Sequence, residues 1–150
     1  MKDHFWRVDG LQEIIEEKMA KCADRDDAEA KTTVLIVEPN KKPYIKAIGV
    51  DEGSIYCVLE GPAEGRTLYG TGAEIVFNRF GKTLGLPACR ALLNSKGEAD
   101  DVIAGTFIIT GVNEYGEYIS LNKEQIEIFS NLFDNPICCW RYSLGFDDEY

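Results

Sequence analysis

From Val102 to Thr110 the chain reads Val-Ile-Ala-Gly-Thr-Phe-Ile-Ile-Thr, without a single charged side chain. A run so apolar, rich in β-branched and aromatic residues, is expected as a central strand buried on both faces. A strand of that kind needs a neighbour along each edge and cover over each side. It therefore commits the chain to a layered sheet fold. Glycine inside such a run often marks the close approach of another backbone or a ligand, and Gly105 stands there with Thr106 beside it.

The rest of the chain supplies neighbours and cover. Thr32 to Val37 is a β-branched run ended by Glu38-Pro39, and Tyr44 to Val50 alternates, so the two read as a hairpin. Ser54 to Glu60 is too short for periodicity to decide; the Asp51-Glu52 start favours helix. Thr67 to Tyr69 and Glu74 to Arg79 read as short strands bent at Gly70-Thr71-Gly72, and Ala88 to Leu93 as a short turn or helix. A last hairpin runs through Asn113-Glu114-Tyr115-Gly116 to Ile119. Asn122 with Gln125 forms a capping pair that starts a helix through Phe133, with Ile126, Phe129, Leu132 and Phe133 on its buried side. At the front, Leu11, Ile14, Ile15, Met19 and Cys22 recur at helical spacing, with Asp9 as N-cap. The expected fold is α+β: a mixed, mostly antiparallel sheet of five to six short strands covered by a C-terminal helix, with an N-terminal amphipathic helix. Residues 1–31 read as a helical appendage, 32–134 as the α+β domain and 135–150 as a tail.

Composition narrows the partners. Of 150 residues, 45% are hydrophobic, enough for a real core, while 26 acidic against 16 basic side chains leave a net charge of −10. That sign repels phosphate backbones, so direct nucleic-acid binding is not expected. Mimicry of nucleic acid would need about 20 negative charges per duplex turn, and the charge here is smaller and scattered. No run reaches the roughly 20 apolar residues of a membrane helix, and Met1 to Trp6 lacks a signal-like stretch. A cytoplasmic, membrane-free protein is expected. The five cysteines, Cys22, Cys57, Cys89, Cys138 and Cys139, follow no disulfide framework and read as reduced thiols.

Standard catalytic sets are missing. The one histidine, His4, sits beside the N-terminus, so a Cys–His or Ser–His nucleophile pair would have to recruit it. No Cys-x-x-Cys occurs, and adjacent Cys138 and Cys139 on a strand would point to opposite faces. Gly70-Thr71-Gly72 begins like a dinucleotide loop, yet Ile75 occupies the third glycine position. Two carboxylate groups, Glu98 with Asp100 and Asp101, and Asp147 with Asp148 and Glu149, could hold a divalent cation, but neither has an EF-hand pattern and charge in loops is usually just solvated. No catalytic residue, metal ligand or cofactor is assigned.

The stretch from Gly85 to Phe107 is the one suited to a site. Gly85-Leu86-Pro87 is a stiff turn, Arg90 follows on an apolar segment, and Asp101 precedes the buried run. Arginine there can grip a carboxylate or phosphate at two points, or it can pair with Asp100 or Asp101 and fasten the loop. Arg90, Asp101, Gly105 and Thr106 are the candidate ligand-binding residues. Gly85-Leu86-Pro87-x-x-Arg90-x-Leu92, then Asp101-Val102-Ile103-Ala104-Gly105-Thr106-Phe107 and a capped terminal helix, resembles a small family of bacterial and phage proteins classed as domain of unknown function 3846. The opening strand Val34-Leu35-Ile36-Val37-Glu38-Pro39 fits as well, so the resemblance covers about residues 32 to 134. Asparagine usually precedes the arginine in that pattern, where this chain has Cys89. The resemblance implies a small accessory factor from a phage or mobile-element context and supplies no reaction. The functional expectation is a non-catalytic module that binds a small molecule or a host protein, with a homodimer through the N-terminal helix as one arrangement. The alternatives are a small enzyme using Arg90 with Asp100 or Asp101 and a divalent ion, and an acidic nucleic-acid mimic.

Overall fold

The computed structural model describes residues 2–19, 31–68, 70–93, 96 and 98–135. The side chains of His4 and Asp9, the cysteines Cys22, Cys138 and Cys139, and the carboxylates Asp147 to Glu149 lie outside that description. The elements are α1 (Lys2–Met19), β1 (Thr32–Val37), β2 (Tyr44–Ile48), α2 (Glu52–Leu59), β3 (Ala63–Leu68), β4 (Ala73–Asn78), β5 (Ala88–Leu93), β6 (Ala99–Ala104), β7 (Phe107–Val112), β8 (Tyr118–Ile119) and α3 (Lys123–Leu132).

A six-stranded sheet has the order β2-β1-β7-β4-β3, with β8 paired to the end of β7; β5 and β6 form a separate two-stranded sheet. The fold is α+β as expected, and every ladder described is antiparallel. Strand β7 sits at the centre, with Phe107 to Gly111 buried. The apolar run is not one strand, however. At Gly105 the backbone turns with φ +86°, and its N–H bonds the Pro87 carbonyl at 2.8 Å. The chain thereby leaves β6 in the small sheet and enters β7 in the large one. Glycine is the residue that takes this left-handed conformation without a Cβ penalty.

Period-two alternation splits the core between the faces of the large sheet. Leu35, Val37, Ile75, Phe107 and Ile109 point to one side, where Phe129 and Phe133 of α3 and Cys89 and Ile103 of the small sheet meet them. Val34, Ile36, Val76 and Ile108 point to the other, against Ile55 and Leu59 of α2. The capping box of α3 forms as expected: the Asn122 side chain accepts from the Gln125 amide at 2.8 Å and Gln125 returns the bond at 2.9 Å. Leu132 departs from its expected burial and stays 59% exposed, because Phe129 and Phe133 already fill the inward row.

Ser54 to Leu59 is helical, with Glu60 as its left-handed C-cap and Asp51 as N-cap, whose carboxylate accepts from the Ser54 amide. Ala88 to Leu93 is a strand rather than a turn or helix, paired along β6 with irregularities beside Cys89 and Leu92. Helix α1 runs through Asp9 and begins earlier than an N-cap there would place it. Its Ile15 is buried against the rest of the same chain, and the Lys18 ammonium lies 4.9 Å from the centre of the Tyr56 ring on α2.

Candidate functional site

The four residues singled out in the sequence go to different places. Arg90 is 1% exposed. Its Nε donates to the Phe133 carbonyl at 2.9 Å, Nη1 to the Cys89 and Glu38 carbonyls at 2.8 and 3.4 Å, and Nη2 to the Lys41 carbonyl. The guanidinium thus ties β5 to the turn after β1 and to the C-terminal end of α3, whose dipole favours a cation. Asp101 instead meets Arg66 and Lys82. Gly105 forms the turn between the sheets, and Thr106 lines a cleft on the α2 side. An Arg90–Asp101 pairing, one of the two that the enzyme alternative offers, is not formed. The side chain of Asp100 lies outside the described residues.

A cleft on the α2 side follows from element sizes. Helix α2 has 8 residues, about 12 Å at 1.5 Å per residue, whereas strands repeat every ~4.8 Å across the sheet. One helix so short covers the middle of the face and leaves the β1–β2 side open. The resulting cleft measures about 410 Å³ and is lined by Ile36, Ile48 and Val58 below, with Tyr44, Lys46 and Ser54 among its polar groups. Tyr44, Lys46 and Ile48 share this face because they alternate along β2, paired with Ile36, Val34 and Thr32.

Its potential nucleophiles are occupied. The Tyr44 hydroxyl donates to the Glu38 carboxylate; burial first, then that bond and the Glu38 charge, push its pKa up to about 12. Ser54 Oγ donates to Asp51 Oδ1 at 2.6 Å within the helix cap. Cys57 is disulfide-bonded, where the sequence reading has a reduced thiol. Cys89 is a free thiol but fully buried, and burial lifts its pKa to about 12 against the opposing pull of Arg90. Lys46 faces the cleft from an exposed position with no ion pair among the described residues.

A second, smaller cavity of about 180 Å³ opens on the opposite face, between β3, β4 and β6. Asp101 anchors it: Oδ2 meets Arg66 Nη2 at 3.1 Å, and Oδ1 meets Lys82 Nζ at 2.7 Å and accepts the Val102 amide at 2.7 Å. Burial alone would raise the Asp101 pKa. The Lys82 hydrogen bond, the Val102 amide and the two cations outweigh it and hold the carboxyl below its ordinary value. Of these groups the sequence reading singled out Asp101 alone. Arg66 and Lys82 are basic residues in an acidic chain, far from Asp101 in sequence, and only the stacking of β6 on the sheet edge joins them. Lys46 was legible in principle, as a lysine in an otherwise uncharged strand.

Among the described residues no group of three His, Cys, Asp or Glu side chains is placed to hold a metal ion, and no helix is long and apolar enough to cross a membrane. A family model described as domain of unknown function (DUF3846) matches residues 31–134, the span on which the sequence resemblance rests. No curated protein and no solved structure matches the chain.

Proposed function

We propose, for a chain that belongs to this family of undefined function, that it is a binding module without turnover that takes a small polar molecule in the cleft between α2 and β2. The observation that carries the reading is the makeup of that cleft. An apolar floor of Ile36, Ile48 and Val58 lies beside Lys46, which has no ion pair among the described residues, and Lys31, Glu38 and Glu60 complete the charged lining. A volume of about 410 Å³ falls within the range of ligand pockets, which pair apolar walls with a few orienting polar groups. The same cleft argues against chemistry: Tyr44 keeps its proton, Ser54 is committed to its cap and Cys57 is in a disulfide. A ligand here is held rather than attacked.

The test is a native mass-spectrometric survey of small molecules carried by the purified protein, followed by assays on whatever is found. One molecule bound per chain and recovered unchanged is expected. Val58→Trp, which fills the cleft, and Lys46→Glu, which reverses its charge at an exposed position, are both expected to lose it while melting like the parent. Multiple turnover of the bound molecule by the parent protein would refute the reading.

A further inference from the structure

On a chain with a net charge of −10, three cations stand together around the smaller cavity: Arg66 on β3, and Arg79 and Lys82 in the turn after β4. Glu64 and Asp101 are the only carboxylates among its lining residues. The pocket is therefore locally positive on an acidic molecule. We propose that it is a binding site for an oxyanion, the phosphate or carboxylate group of a small molecule.

Asp101 places the cations rather than using them up. Each of its oxygens is committed to a different partner, Oδ2 to Arg66 and Oδ1 to Lys82 and the Val102 amide. Two like charges are so held beside one carboxylate, an arrangement whose repulsion an incoming anion relieves. Most of the donors remain unspent. A guanidinium offers five N–H bonds and an ammonium three, yet Arg66 and Lys82 each make one hydrogen bond, both to Asp101. Arg79 gives one hydrogen bond to the Ala63 carbonyl at 3.3 Å and lies 3.9 Å from Glu64. Fastening alone does not account for the group, since part-exposed ion pairs contribute little to stability. Phe77, Val102 and Ile103 wall the cavity, and apolar walls strengthen the field of the cations inside. At about 180 Å³ the space is smaller than a drug-sized pocket, so it fits a charged group with the remainder of its molecule outside. Arginine forks match the planar oxygens of phosphate and carboxylate alike.

This site lies across the sheet from the α2 cleft and shares no residue with it, so either proposal can fail while the other stands. The experiment titrates inorganic phosphate, and separately acetate, into the full chain at low ionic strength, following backbone amides by NMR. Saturable shifts centred on Arg66, Lys82 and Val102 are expected. Tighter binding of phosphate assigns the site to phosphate groups, and tighter binding of acetate to carboxylates; either result supports the oxyanion site. Lys82→Met, at a side chain 66% exposed, is expected to fold normally and weaken binding about tenfold, the worth of one charge-assisted hydrogen bond. Asp101→Asn is expected to weaken it, because the amide no longer holds Arg66 and Lys82 in place. Lys123→Met on α3 serves as a remote control and leaves binding unchanged. Absence of saturable binding by the parent, or equal losses in Lys82→Met and Lys123→Met, would overturn the proposal.

Discussion

At the scale of single residues, Arg90 and Asp101 show how one segment can carry two unrelated charge problems. Arg90 is a buried cation that donates to carbonyl oxygens, apart from a long contact to Cys89 Sγ. Removing it takes the donor from the buried Phe133 and Cys89 carbonyls and releases the part-buried Lys41 carbonyl. Arg90→Met is expected to cost about 3–5 kcal/mol in urea unfolding, as for other broken buried charge networks. Arg90→Lys should recover only part of that, since one ammonium cannot span three directions. A loss under about 1 kcal/mol for the methionine variant would show the guanidinium to be dispensable. Asp101 governs a pH dependence instead. Its pKa is lower folded than unfolded, so its contribution is complete above the unfolded value of ~3.9 and disappears as pH falls through the folded value. The stability difference between the parent and Asp101→Asn should hold steady from pH 7 to about 5 and then shrink on further acidification. A difference that stays flat down to pH 2 would mean that the Lys82 and Arg66 contacts do not favour the ionised form.

At the scale of elements, the β6–β7 turn depends on two glycines for different reasons. Gly105 has φ +86°, and a Cβ there would come 2.7 Å from Leu86 Cδ1, a flexible side-chain tip. Gly105→Ala is expected to cost about 1–2 kcal/mol, mainly for the left-handed backbone. At Gly81 a Cβ would lie 2.4 Å from the Ala104 carbonyl oxygen, which is backbone and cannot swing aside. Gly81→Ala should therefore be the more damaging in urea midpoint, and the reverse order would argue that the turn is loosely held. The same turn marks the limit of what the sequence discloses. A β-branched run makes β1 legible, alternation β2 and an apolar run the body of β7, and the Asn122–Gln125 pair makes the start of α3 so. Apolar composition, though, is equally high before and after Gly105, and nothing local distinguishes a glycine that bends a chain between two sheets from one that admits a ligand. Ala88 to Leu93 is hidden for a related reason: Leu, Ala and Arg are good helix formers, and pairing with β6 overrides that preference. The site residues were less visible still. Arg66, Lys82 and Asp101 become neighbours through the stacking of the small sheet on the large one, and Lys46 matters because a short α2 leaves β2 uncovered. Both are consequences of tertiary packing, with no local pattern to announce them.

For the whole molecule, one strand joins both halves of the interior. Strand β7 sends Phe107 and Ile109 into the α3-side core and Ile108 into the α2-side core, while its backbone is bonded to β1 on one edge and β4 on the other. Neither core can therefore open without loosening the strand that supports the other, and a single cooperative transition is expected. Leu59→Ala, on α2, and Phe129→Ala, on α3, each empty a fully enclosed position and should each lower stability by about 2–5 kcal/mol. The informative readout is not the size of either loss but whether it is shared. Hydrogen exchange of β7 and β4 amides near Ile108 and Val76 should accelerate in both variants, each by the factor that its own loss of global stability sets, because those amides are expected to exchange through global opening. Exchange that speeds up on the α2 side alone in Leu59→Ala, with the Phe129 region unchanged, would show two separately folding layers. In that case the cleft beside α2 would rest on a weaker layer than the cationic pocket beside β6, and ligand binding at each could be lost independently on heating.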